Sequence, residues 1–288
     1  MNIKVVVDFL SLAALWGGSF LLMRVASPEF GPFALSGVRV FIAGALLLAM
    51  LVAKKRVSAL VKNWKPIASV GLINSAGPFL FFAYAMAHIS SGLGAILNAT
   101  VPLWGALVAF VWLKDRIVGL RVLGLLIGFL GVTFLVWGKV SFTPGSGLAV
   151  VACLSATFLY GIAASFTKKY LSGVDSLASA TGSQLSAAVI LLPLGLYFWP
   201  DHSVSLKAWA AVVVLAVFCT ALAYILYFRL FAVLGPSKTM TVTFLIPVFG
   251  MLWGGVVLQE VPTFQMVVAC AFIIFGTSLA AGVVTWKK

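Results

Sequence analysis

Apolar blocks of about 20 residues follow one another from Val5 to Trp286, about ten in all, and nearly every charge falls in the short gaps between them. A helix rises about 1.5 Å per residue, so each block matches the roughly 30 Å hydrocarbon core of a bilayer. A soluble core has no use for ten such blocks, and the chain is expected to be an all-α integral membrane protein. The expected segments, numbered 1 to 10, are 5–24, 33–53, 66–87, 91–113, 119–138, 147–167, 176–198, 207–229, 237–258 and 263–285. A mean hydropathy of +1.18 with 9% charged residues excludes a soluble or disordered chain. The net charge of +13 is spread through the gaps and forms no basic face of the kind nucleic acid requires. Cys153, Cys219 and Cys270 lie far apart inside apolar blocks and have no metal-ligand or redox spacing.

The gaps set the expected orientation. Alternate gaps hold 15 Lys and Arg residues: Lys4, the group from Lys54 to Lys65, Lys114, Arg116, Arg121, Lys168, Lys169, Arg229, Lys238, Lys287 and Lys288. The other gaps hold 3, namely Arg24, Lys139 and Lys207. The positive-inside rule then places both termini in the cytoplasm. Asp8 interrupts the N-terminal apolar run, which continues to about Met23, so this block reads as a first span rather than a cleaved leader. Trp64, Trp112, Trp137, Trp199, Trp209 and Trp286 lie near segment ends, as an interfacial belt requires.

The two halves repeat with an offset of about 145 residues. Thr100-Val101-Pro102-Leu103-Trp104-Gly105 aligns with Leu245-Ile246-Pro247-Val248-Phe249-Gly250, and Leu113-Lys114-Asp115 aligns with Leu258-Gln259-Glu260. Trp16-Gly17 corresponds to Tyr160-Gly161, Arg39 to Gln184, and Gly131 to Gly276. Five segments per half is an odd number, so residues 144–288 are expected to form a repeat inverted relative to residues 1–143. Inverted repeats serve alternating access in secondary transporters, with the substrate near the midplane where helices are interrupted.

Ten segments in two five-segment repeats, Trp16-Gly17-Gly18-Ser19-Phe20, Arg39 early in segment 2 and the proline-bearing segments 4 and 9 resemble the drug/metabolite transporter (DMT) superfamily, EamA-type branch. Within it the chain is most similar to the YddG-type exporters of aromatic amino acids. The resemblance implies a secondary transporter that exports aromatic and other neutral amino acids, or related small metabolites, across the cell inner membrane. Carriers of nucleotide sugars or drugs share the architecture. The four-span multidrug relatives carry a carboxylate in their first span, and this chain has none there deeper than Asp8. The resemblance also implies a structural role for Arg39, capping neighbouring carbonyls, with a substrate carboxylate as the alternative partner. A central Arg costs about 2.5–3.5 kcal/mol by insertion scales, less if it snorkels to the interface.

Polar and aromatic residues inside the segments nominate a site. Pro78, Pro102 and Pro247 each remove a backbone donor and free a carbonyl, giving either a helix break at the path or a kink against a neighbour; Pro193 does the same. Gly94, Asn98, Pro102 and Gly105 share one face of segment 4, and Thr239, Thr243, Pro247 and Gly250 one face of segment 9. Gly105 and Gly250 are expected to be packing contacts, as are Gly124, Gly128, Gly131 and Gly276. Asn74 either satisfies a buried hydrogen bond or touches substrate. The expected site is a cavity among segments 1, 3, 4, 6, 8 and 9 lined by Trp16, Phe20, Asn74, Phe79, Asn98, Tyr160, Tyr224 and Thr243.

There is no Walker-type loop, no paired intramembrane carboxylate, and no His cluster. The expected carrier therefore needs no cofactor, metal or ATP, binds no nucleic acid, contacts membrane lipid and works as a monomer. A lipid-linked membrane enzyme is the alternative from another class, although such enzymes need acidic or His groups near the surface. A membrane scaffold is the third.

Overall fold

The computed structural model describes residues 3–115, 119–137, 146–234, 239, 241–280 and 282. The sequence expectations for Arg116, Lys139, Lys238, Trp286, Lys287 and Lys288, and the half boundary at 143/144, lie outside the described residues. The described residues form helices and no strands. Six helices are long and apolar enough to cross a membrane: Ile3–Ala53, Trp64–His88, Ser91–Leu113, Ser146–Tyr170, Ser176–Tyr197 and Leu206–Tyr227. Leu120–Val136, Ile246–Leu258 and Phe264–Ala280 are shorter apolar helices.

Ile3–Ala53 holds segments 1 and 2, divided at Gly31 with φ 69° and ψ 166°. The expected gap after Arg24 is thus mostly helix. Its actual break is chemical: Pro32 drives the residue before it out of the α region, and glycine accepts the positive φ that results. Segments 3 and 8 each contain a π-helical stretch, Leu72–Ala76 and Val217–Leu222. Segment 4 is interrupted at Ala99 and Thr100 between Ser91–Asn98 and Val101–Leu113. Segment 9 opens on a 3-10 turn, Thr241–Phe244, before Ile246–Leu258.

Side-chain contacts fix which helix ends meet. At one end Glu29 accepts from Ser205, Arg24 reaches the carbonyls of Met86 and Ala87, and Gln265 reaches those of Phe134 and Trp137. At the other, Arg56 pairs with Asp175, Lys168 with Asp115, and Arg229 with Asp8. Phe30 at the first end packs edge-on to Trp199 and Trp209. Trp64 and Trp137 are exposed, as belt residues should be.

Glycines decide how closely the helices pass. A Cβ on Gly17 would lie 2.9 Å from the Gly250 nitrogen, and one on Gly161 would lie 3.0 Å from the Gly105 nitrogen. Segment 1 thus presses on segment 9 as segment 6 presses on segment 4, the same contact with the halves exchanged. Gly124, Gly131 and Gly276 join segments 5 and 10 in the same way, Gly276 against the Gly128 backbone, while a Cβ on Gly128 would meet Leu103 of segment 4 and Gly250 abuts Ala95. Gly105 differs from the expectation: its own Cβ position is open, and its part in the packing is to lend backbone to Gly161. The three cysteines are free and buried.

Candidate functional site

Pro78, Pro102 and Pro247 each occupy the first turn of a helix that restarts after an interruption, where a missing N–H costs least. Four residues before them stand Asn74, Asn98 and Thr243. The proline removes the i+4 donor that would have met each of these residues' carbonyls. In each of the three places the donor that the proline lacks therefore lies one helical turn after a polar side chain. Pro193, in contrast, lies inside the continuous helix Ser176–Tyr197.

The two π-helical stretches build the densest polar group. Gly71 lets segment 3 approach segment 7, since a Cβ there would lie 2.7 Å from the Ser183 carbonyl oxygen. This close approach brings Ser75 to the Oγ of Ser183 at 3.0 Å and lets Gln184 Nε2 donate to Ser75 Oγ at 3.0 Å. In the other half, Arg39 Nε donates to Thr220 Oγ1 at 3.0 Å. The Thr220 hydroxyl donates in turn to the Leu215 carbonyl, five residues back in the α-helix that leads into the π stretch. The Arg39 guanidinium sits 3.7 Å from the Phe79 ring centroid and contacts Met23 Sδ.

Arg39 is therefore buried, at 5% exposure, and does not snorkel. The expected carbonyl capping is corrected: its described partners are a hydroxyl, a thioether and an aromatic face. The side chain is held inward because segment 2 packs closely on segment 7, Gly37 against the Leu191 backbone. A cation over a ring is stabilised by the ring's negative face, most strongly where water is excluded.

Asn74 Nδ2 meets the Tyr224 hydroxyl at 3.4 Å, across segments 3 and 8. That length exceeds the usual 2.7–3.2 Å range, so the contact is weak and easily exchanged. Tyr160 stacks on Phe82 with centroids 6.2 Å apart, and Phe20 meets Phe82 edge-on at 5.3 Å. Trp16 lies 5.7 Å from Tyr227. Trp16, Asn74, Tyr160, Tyr224 and Thr243 are half-buried, whereas Phe20, Phe79 and Asn98 are buried. The structure thus joins Asn74, Tyr224, Phe79 and Arg39 into one neighbourhood and Phe20 with Tyr160 through Phe82. Trp16 pairs with Tyr227, and Asn98 is buried one helical turn before Pro102.

Ser75, Ser183, Gln184 and Thr220 were not among the expected site residues. The signal lay in the repeat: Gln184 corresponds to Arg39, and Thr220 to Ser75. An open cavity of about 450 Å³ lies at the Glu260 end, lined by Arg24, Val25, Pro28, Glu29, Lys207, Leu258 and Glu260. There the Ser205 backbone N–H and then its hydroxyl hold the Glu29 carboxyl below its ordinary value. Among the described residues no group of His, Cys, Asp and Glu could hold a metal.

The EamA-like transporter family's sequence profile matches residues 4–137 and again 147–282. The chain is 23% identical over 278 residues to the uncharacterized transporter YoaV of Bacillus subtilis, covering 95% of each. It is 24% identical over 268 residues to an uncharacterized transporter of Archaeoglobus fulgidus, covering 91% of this chain and 92% of the relative. The inner membrane transporter YedA of Escherichia coli is 26% identical over 254 residues, covering 85% and 79%. One solved crystal structure superposes with a TM-score of 0.68 at 20% identity over 98% of both chains, a likeness of fold.

Proposed function

We propose that this chain, which belongs to the EamA-like transporter family of the DMT superfamily, carries neutral amino acids and similar small metabolites across the cell inner membrane by alternating access. In this reading ten helices span the bilayer as two inverted repeats, 1–143 and 144–288, with both termini cytoplasmic. The observation that carries it is the exchanged recurrence of the Arg39–Thr220 and Gln184–Ser75 contacts at two π-helical interruptions. Such interruptions supply unpaired backbone groups at membrane depth only where protein, water or a ligand satisfies them.

A zwitterion is nearly neutral and asks for dipoles rather than fixed charge. Carbonyls that lose their helical donor to Pro78 and Pro102 accept from its ammonium, and the amides of Asn74 and Asn98 donate to its carboxylate. Trp16, Phe20, Phe79, Tyr160 and Tyr224 offer aromatic surface, with Thr243 at the entry to segment 9. Losing one bulky contact changes selectivity only modestly, so phenylalanine, tryptophan and several aliphatic amino acids are carried alike. The segments hold no Asp, Glu or His at mid-depth, and movement runs down a gradient or by exchange, without an obligatory proton site.

The test is flux through purified protein in liposomes with a panel of amino acids, nucleotide sugars and cationic drugs. Uptake of labelled phenylalanine, competed by other neutral amino acids, is expected. Transport of only another class would replace the substrate, and no flux of any solute would remove the carrier reading. Uphill accumulation driven by a pH gradient alone would overturn the uncoupled mechanism.

A further inference from the structure

Two ion pairs stand in corresponding places at opposite ends of the molecule. Lys114 and Gln259 each close a helix in the left-handed conformation, with φ 57° and 55°. The next residue's N–H then turns back six residues, Asp115 to the Ala109 carbonyl and Glu260 to that of Gly254. This backbone is unfavourable for residues with a Cβ. Lys55 shares the conformation, with φ 54° and a five-residue return. Among the described residues the six-residue return occurs after Lys114 and Gln259, and each time it delivers a carboxylate to a cation near the end of a first-of-half segment: Glu260 to Arg24 at 3.6 Å, and Asp115 to Lys168 at 2.9 Å.

The two pairs differ in reach. Glu260 Oε2 also accepts from the Ser91 N–H at 2.9 Å and the Ser91 hydroxyl at 2.6 Å. Arg24 Nη1 donates to the carbonyls of Met86 at 3.1 Å and Ala87 at 2.9 Å. One cluster therefore ties together the ends of segments 1, 3, 4 and 9, with a carboxylate at one helix N-terminus and a cation at another's C-terminus, both favoured by the helix dipole. It also lines the open 450 Å³ cavity. Lys168–Asp115 ties segments 6 and 4 alone among the described contacts, with side chains 64% and 43% exposed against 33% and 21% for Arg24 and Glu260. Exposed pairs in water hold weakly, and half-buried ones hold more firmly. The other two ion pairs among the described residues lack this exchange: Asp8–Arg229 corresponds to the uncharged Ala152 and Tyr84, and Arg56–Asp175 to Asp201 and Phe30.

We propose that Arg24–Glu260 and Lys168–Asp115 are paired latches closing the two ends of the transport path in alternation, the Glu260 latch being the stronger. The proposal rests on the alternating-access reading and adds the residues that govern which end is open. Releasing the Glu260 latch frees segments 1 and 9 to part from 3 and 4 at that end. Releasing the Asp115 latch frees the other end.

The experiment labels a single cysteine, Asn74→Cys, in the full-length chain with Cys153, Cys219 and Cys270 changed to alanine. A membrane-impermeant maleimide is applied to vesicles of each orientation. Glu260→Gln and Arg24→Gln should each raise labelling from the Glu260 face at least threefold, and Asp115→Asn and Lys168→Gln should raise it from the opposite face. Ser91→Ala, which keeps the ion pair and guards against a misfolded Glu260→Gln, should shift labelling in the same direction by less. Unchanged labelling in all four charge variants, or partners of one pair moving it to opposite faces, overturns the proposal. Sided labelling, with no flux of any solute through the unsubstituted protein, leaves the latches standing and removes the carrier. Normal flux through the unsubstituted protein with unmoved labelling removes the latches alone.

Discussion

Arg39 and Thr220 meet at 3.0 Å although 181 residues separate them, and the threonine hydroxyl that accepts from the guanidinium donates in turn to the Leu215 carbonyl. The π turn and the buried charge thus stabilise one another. Thr220→Val should destabilise the protein by about 1 kcal/mol, the scale of interhelical polar contacts in membranes, with more if Arg39 stays unpaired. Thr133→Val, whose hydroxyl bonds the exposed Phe129 carbonyl of its own helix, should change the midpoint little. Thermal unfolding in detergent reads both. Equal midpoints for the two variants would show that the Arg39 contact contributes nothing.

Close approach at Gly17 makes a second expectation. An added methyl there meets Phe249 Cβ at 2.6 Å and backbone on two sides, and neither can yield without moving segment 9. Gly17→Ala should cost about 1–3 kcal/mol, the usual penalty of overpacking. Gly105→Ala, with nothing within 4 Å of its Cβ, should be tolerated. The yield of monodisperse protein and its melting temperature test the contrast.

The 3.4 Å contact between Asn74 and Tyr224 is too long to matter much for stability, yet it lies at the proposed site. Asn74→Ala should therefore leave the melting temperature within about 2 °C while raising the KM for phenylalanine several-fold. Trp16→Ala and Asn98→Ala should also weaken transport, and Trp137→Ala in the belt should not. Unaltered kinetics in the interior variants, with loss in the belt variant, would place the site elsewhere.

Gln259 is held in a left-handed conformation that glycine adopts freely. The strain is about 1 kcal/mol, and glycine's extra freedom in the unfolded chain offsets about half of it. Gln259→Gly should stabilise the protein by about 0.5 kcal/mol, as should Lys114→Gly, measured as a rise in melting temperature. A fall in both would mean that these side chains hold the turns themselves.

Hydrogen bonds from Ser205 favour the charged form of Glu29, so its carboxyl titrates below the ordinary 4.5 in the folded protein. A lowered folded value means the unfolded state binds the proton first as pH falls. The stabilisation is present above the unfolded value and is lost as pH drops through the folded one. Wild type should thus melt above Glu29→Gln at pH 7, with the gap closing as pH falls below the ordinary carboxylate value. A gap that persists in acid would mean that the charge is not what matters.

Hydropathy and charge spacing by themselves determined that this chain is helical and lives in a membrane, because apolar runs of bilayer length leave the backbone no alternative to the helix. The repeat named Pro102 with Pro247 and Arg39 with Gln184, since corresponding positions in two halves are visible as letters. Periodicity does not register where a helix changes its winding. The π turns at Asn74 and Thr220 therefore appeared only in three dimensions, as did the continuation of segment 1 to Gly31. Arg39's choice of a hydroxyl and a ring over the interface depended on how closely segments 2 and 7 pass. The Arg24–Glu260 cluster likewise gathers four helix ends that the sequence leaves far apart. Such contacts follow from backbone approach at Gly17, Gly37, Gly71 and Gly161, and only the tertiary structure decides which glycine faces which helix.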